Sequence, residues 1–262
     1  MEVAVNTPAP LLRAQNLSYR KRIPLLSQLT IVLPEGITAV MSTQQPGPQL
    51  PATHRLHRHT PARILQSLLA CDRAPTAGTI QLRQLPYGGK AYRRAVAWLP
   101  PRTQTFIGLN AREHVAYCAW LKGIPKKLAW ERSLPAMTQL GLEDVAGDPV
   151  DALPALSQRL LEIARGICHD ARILIVDTPE LCAADRTELL ETLKELQVPG
   201  LEGMLVHTDS TLEASQFADN LLLVAADSIP FAGTLTDFRA AVANNPDLLH
   251  STPPATDTRE RP

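Results

Sequence analysis

Residues 173–177, Ile-Leu-Ile-Val-Asp, limit what this chain of 262 residues can fold into more than any other stretch. Four consecutive apolar residues leave no polar alternation, so the segment predicts a strand buried on both faces. Before it, apolar residues recur at 156, 160, 163, 164 and 167, a helical spacing. The run ends in a carboxylate, Asp177. A buried strand that delivers an Asp at its carboxyl end is the arrangement in which that group can hold Mg²⁺ beside phosphates.

The rest of the chain repeats the alternation of strand and helix. Residues 11–36 predict two strands and residues 37–41 a third, followed by an irregular Pro-rich stretch with no period. Residues 63–70 predict a helix, TAGTIQL a turn and strand, and residues 96–99 another strand. Helices follow over 110–145, with stripes such as Val115 and Ala119, or Trp130, Leu134 and Met137. Asn110 with Glu113 three residues on reads as a capping box. Leu189, Leu190, Leu193 and Leu196 mark a further helix, residues 203–206 and 221–224 two more strands, and residues 235–243 a last helix. This order predicts a mostly parallel sheet covered on both faces.

Composition narrows the function. Net charge is zero, so the overall field gives no attraction to nucleic acid, and a nucleic-acid partner is not expected. No run approaches the ~18 apolar residues that span a bilayer, and the first ten residues have neither a basic start nor an apolar signal core. A cytoplasmic chain, reaching a membrane only through a partner, is the expectation. The four Cys form no CxxC pair, and three sit among apolar neighbours, which predicts buried free thiols. Residues 1–10 and 251–262 read as disordered tails around a domain over 11–250.

Several pieces, in this order, resemble the ATP-binding subunits of ABC transporters. NLSY followed by LLSQLTIVLPEGITAVM is similar to the opening sheet of that family, and APTAGTIQL to the turn after its phosphate loop. VAWLPPRTQTF resembles the glutamine-loop strand, and GLNAREHVAYCAWLKGIPK the start of the helical subdomain. SQRLLEIARGICHDARILIVDTP resembles the signature helix and Walker B, and LVHTDSTLEASQFADNLLLVAADSIPFAGT the switch-histidine strand and closing hairpin. The resemblance runs from about Leu11 to about Asp237. It implies a P-loop-NTPase α/β fold, with antiparallel N-terminal strands and a helical subdomain at about 108–160.

The family's chemistry is not matched residue for residue. Its phosphate loop needs glycines, a Lys and a Ser or Thr, but Met41 is followed by STQQPGPQ. Aligned without a gap, Pro48 and Gln49 fall at the Lys and Ser/Thr places; counted back from Ala77-Gly78, Ala62 and Arg63 do. Thr178 stands where the family has the Glu that polarises water. The signature region, LPALSQR, has no glycine. Ser157 reads either as a displaced signature Ser or as a helix N-cap. Gln104 is the nearest residue to the glutamine-loop position. The switch histidine aligns with Asp209, and His207, two residues earlier, reads as a bystander. Tyr19 is a candidate for stacking on adenine, or a buried edge-strand Tyr. Asp185 matches the dimer-facing Asp. His54 to His59, with three His and two Arg, reads as a solvated basic loop segment rather than a metal site.

What the resemblance implies is a degenerate nucleotide-binding subunit. The vestigial site would be Asp177, Gln104 and Tyr19, with Ser157 and Asp185 at an interface and no residue assigned to catalysis. No cofactor is expected to bind tightly, with ATP and Mg²⁺ the ligands of a site that works. Expected partners are a membrane permease, met around residues 99–125, and an intact homologous ATPase subunit, at the inner face of the cell membrane. Two alternatives stay open. One is an active subunit with a rewired site, Glu180 serving as base and Arg63 as the missing Lys. The other is a scaffold or regulatory protein outside transport.

Overall fold

The computed structural model describes residues 10–21, 24–43, 60–101, 106, 108–177, 181–245 and 248. Its strands are β1 (Leu12–Arg20), β2 (Pro24–Leu33), β3 (Gly36–Ser42), β4 (Ala77–Leu82), β5 (Leu85–Pro86), β6 (Val96–Leu99), β7 (Ile173–Val176), β8 (Gly203–His207), β9 (Asn220–Val224) and β10 (Phe231–Thr234). Its helices are α1 (Pro61–Leu69), α2 (Lys90–Ala95), α3 (Ala111–Leu121), α4 (Lys126–Thr138), α5 (Ala155–Cys168), α6 (Ala183–Glu195), α7 (Thr211–Phe217) and α8 (Leu235–Asn244).

Two sheets result. One is antiparallel, in the order β2-β1-β4-β5; the other runs β10-β9-β3-β8-β7-β6, parallel except for the β10 edge. Where β1 meets β4, Gly78 has φ +94° and a Cβ there would lie 2.5 Å from the Asn16 carbonyl oxygen, so only glycine lets the two backbones close.

The parallel strands sort their side chains with a period of two. Val40, Ile173, Ile175, Leu205, Leu222 and Val224 face α1 and the antiparallel sheet. Met41, Leu174, Val176, Val206, Leu221 and Leu223 face α3 to α8. Both faces of the sheet are therefore buried, as the unbroken apolar runs predict, and α1 fills the space between the sheets.

On the far face α3 and α4 pack against α5. Asn110 caps α3, and its capping box with Glu113 is complete. On α4 the expected stripe is shifted: Ala129, Ser133, Ala136 and Met137 are buried, while Trp130 is 43% exposed beneath the Arg112 guanidinium. Arg112 also donates to the Trp130 carbonyl and to Ser133 Oγ. That anchoring fixes the rotation of α4 in a way apolar spacing alone does not reveal. The Cys residues are all free, but only Cys168 is fully buried and Cys182 is exposed.

Candidate functional site

Ser42 at the end of β3, Asp177 immediately after β7 and His207 at the end of β8 all lie at the carboxyl edge of the parallel sheet. In sheets of this kind ligands are met at that edge, where adjacent parallel strands send their helices in opposite directions; here the edge is packed, with Asp177 and His207 each 1% exposed. The residue set is drawn from four parts of the chain, and α1 supplies its floor.

α1 begins at Pro61, so it is Ala62 and Arg63, not Pro48 and Gln49, that occupy the first turn of this helix. A helix start can hold an anion because its first N–H groups lack intrahelical partners. Here the chain consumes those donors itself. Pro61 has none; the Ala62 N–H donates to Ser42 Oγ (3.0 Å), and the Arg63 N–H to Thr60 Oγ1 (3.4 Å). One turn on, the buried Gln66 donates from Nε2 to the carbonyls of Val176 (2.9 Å) and Leu205 (3.1 Å), which ties α1 to the ends of β7 and β8.

Asp177 is 1% exposed. Arg63 Nε lies 3.2 Å from its Oδ1 and 3.1 Å from Oδ2. From α5, the buried Arg159 donates to the Asp177 main-chain carbonyl (2.9 Å) and pairs with the buried Glu162. His207 Nδ1 stands 3.7 Å from Asp177 Oδ1, and its Nε2 3.6 Å from Asp209 Oδ1. These spacings are electrostatic contacts, longer than hydrogen bonds. Burial pushes Asp177 up to about 6, against the pull of Arg63 and Arg159, so the carboxylate is ionised at neutral pH but only narrowly. Burial drives His207 the other way, down to about 4, so its ring is neutral there. Beyond it, Thr208 and Arg186 both hold Glu213 (Arg186 Nη2 at 2.8 Å).

His207 therefore stands between two carboxylates. The partner carboxylates that the sequence did not reveal are Asp177 and Asp209, set beside it by β7 and by the turn after β8. Arg63 faces Asp177 rather than standing clear to meet a phosphate. Ser157 is not the N-cap: α5 opens at Ala155 after Pro154, and Ser157 sits inside the first turn. Asp185 lies in the first turn of α6, half-buried, its N–H bonded to Cys182 Sγ (3.4 Å). Tyr19 lies on β1 with the Arg73 guanidinium 5.8 Å above its ring, against the apolar layer of the antiparallel sheet. Gln104, Thr178, Glu180 and the His54–His59 segment fall outside the described residues.

These groups do not fit a magnesium–triphosphate as a P-loop cradle would hold it. The amides of α1 are spent, the Asp177 carboxylate carries a guanidinium, and among the described residues no three His, Cys, Asp or Glu side chains converge as metal ligands.

The two sheets and the helical layer together have the ABC-type ATPase fold. A solved structure titled as an ATP-binding subunit of an ABC transporter superposes with a TM-score of 0.68 at 19% identity, over 89% of this chain and 93% of that one. A cbiO1 structure from Clostridium perfringens, part of the ABC transporter complex cbiONQ, gives 0.70 at 17% identity over 93% and 98%. Among curated proteins, the chain is 24% identical to an autoinducer 2 import ATP-binding protein of Enterobacter sp. over 66% of its own length and 35% of that protein's. It is also 24% identical to an ergothioneine transport ATP-binding protein of Helicobacter pylori, over 58% of this chain and 73% of that one. The chain thus spans about a third of the Enterobacter relative. No family model matches it. In fold, and over part of its sequence, the chain is similar to ABC-transporter ATP-binding subunits.

Proposed function

We propose that this protein is a degenerate nucleotide-binding subunit, a pseudo-ATPase that docks on a membrane permease or on an intact partner subunit at the cytoplasmic face. The observation that carries the reading is the start of α1, whose donors bond Ser42 and Thr60 instead of facing outward. Phosphoryl transfer depends on positioned charge and a positioned water. A chain with no Lys at the phosphate position, Thr178 in place of the base and no signature glycines has lost the elements that supply both. In this reading Asp177, Gln104 and Tyr19 are remnants of the nucleotide site, and Ser157 and Asp185 remnants of the interface.

Docking fits the helical layer. Leu109, Tyr117, Trp120 and Trp130 line an open groove of about 430 Å³ between α3 and α4, with Trp120 48% exposed. Phe106 stacks edge-on against Tyr117, which in turn lies beside Trp120. Exposed aromatics in a row are the side chains that anchor protein interfaces. The sequence resemblance assigns permease contact to this same region, 99–125.

The test is co-purification from native membranes of the wild type and of Trp120→Ala, with light scattering of the soluble chain with and without MgATP. The expected outcome is a membrane partner lost with Trp120→Ala, and an association state that ATP does not change. A dimer that forms only with ATP would refute the reading. Recovery with no membrane protein would favour the scaffold alternative.

A further inference from the structure

We infer that Arg63 is a resident counter-ion standing where relatives of this fold use a divalent metal, so that the site around Asp177 is complete without one. The inference rests on the proposed loss of nucleotide chemistry and adds to it what replaced the metal.

Three directions around residue 177 are occupied by the chain itself. Arg63 Nε spans both carboxylate oxygens at 3.2 and 3.1 Å; Arg159 takes the main-chain carbonyl at 2.9 Å; His207 stands 3.7 Å from Oδ1. Arg63 is only 15% exposed, so its charge is largely withdrawn from water together with the carboxylate at 1%. An arrangement of that kind persists only when the two charges offset each other. Its backbone is equally fixed: the Arg63 N–H caps onto Thr60, and Gln66, three residues on, clamps the same helix to the carbonyls of Val176 and Leu205. Arg63 is thus held toward Asp177 by the packing of α1, not by a flexible reach from the surface. A dication brought to the same carboxylate would meet a guanidinium within one side chain's width, and like charges at that distance in a partly dry site repel strongly.

The counter-ion role makes a reversal possible. Counted back from Ala77-Gly78, residue 63 is where relatives of this fold carry a metal-facing hydroxyl. Arg63→Ser should therefore remove the resident charge and open Asp177 to a metal.

The full chain is melted at pH 7.5 in EDTA and in millimolar Mn²⁺, with bound Mn²⁺ read by electron paramagnetic resonance. The wild type and Arg63→Lys should melt at the same temperature in both and hold no Mn²⁺. Arg63→Ser should melt lower in EDTA, rise by roughly 2–4 °C with Mn²⁺ and bind Mn²⁺ at least ten-fold more tightly than the wild type. Wild-type Mn²⁺ binding, or a folded Arg63→Ser that gains none, overturns the inference. Should Arg63→Ser fail to fold, Arg63→Gln serves: its loss of melting temperature should be larger at pH 8 than at pH 5, and an equal loss at both overturns the inference. MgATP titrated into the wild type separates the two ideas. Nucleotide binding without a metal effect would refute the pseudo-ATPase reading and leave Arg63 as counter-ion.

Discussion

Replacing Asp177 with Asn should change how stability depends on pH, and the size follows from the structure. Burial moves this carboxyl from its ordinary 3.8 up to about 6. At about 1.4 kcal/mol per pH unit, holding it ionised in the folded chain costs about 3 kcal/mol relative to the unfolded chain. The sign is unusual for a carboxylate with an arginine partner. Because the folded state binds this proton more tightly, Asp177 favours folding below pH ~4, and that advantage is lost as pH rises from about 4 through about 6. Asn resembles the protonated form and does not titrate. Urea unfolding of both proteins between pH 4 and pH 8 should therefore show the variant gaining on the wild type by about 3 kcal/mol across that window. The attraction of Arg63 for the carboxylate switches on with ionisation and is already contained in that net shift, so it calls for no separate allowance. Parallel pH profiles would show that Asp177 titrates normally and would refute the account of its burial.

Three further outcomes follow from the packing. Gly166 on α5 approaches the sheet so closely that a Cβ would sit 2.8 Å from both Ala97 Cβ and Leu174 Cδ2; Gly166→Ala should lower stability by about 1–3 kcal/mol in urea, since Ala97 has no freedom to withdraw. Arg159→Met should cost about 3–5 kcal/mol by leaving buried Glu162 with only Arg165, at 3.6 Å, and by freeing the Asp177 carbonyl, and Arg159→Met with Glu162→Leu should recover part of it; equal losses in single and double variants would mean the pair is not coupled. Burial holds His169 down at about 4, so its neutral form favours folding above pH ~6.5 and the benefit drains away as pH falls toward 4; His169→Gln should flatten the acid limb of the melting curve, and an unchanged limb would contradict this.

Much of the frame was legible because it rests on local pattern. The run 173–176 could only be a doubly buried strand, and the Asn110–Glu113 spacing carries its own hydrogen bonds. Other features left weaker traces. α2, KAYRRA, has no apolar period, and it is placed by buried Tyr92, whose hydroxyl bonds the Leu69 carbonyl. The start of α5 falls to Pro154 and Ala155 rather than Ser157: Pro154 stands at the cap position with φ −55° and no side-chain bond to the helix, so no hydroxyl marks the opening. At the carboxyl edge of the sheet, the polar residues could be named but not their pairing. Arg63 and Asp177 are 114 residues apart, and nothing near Arg63 says which carboxylate it meets. His207 looked isolated for the same reason: its neighbour Asp177 arrives on a different strand.

Isothermal titration of MgATP into the purified full chain shows whether the start of α1 and Asp177 still serve a nucleotide. A pseudo-ATPase should give no heat of binding, or a dissociation constant weaker than about 1 mM, the affinity expected when only ~4 kcal/mol of contact remains. A dissociation constant in the low micromolar range would contradict that reading.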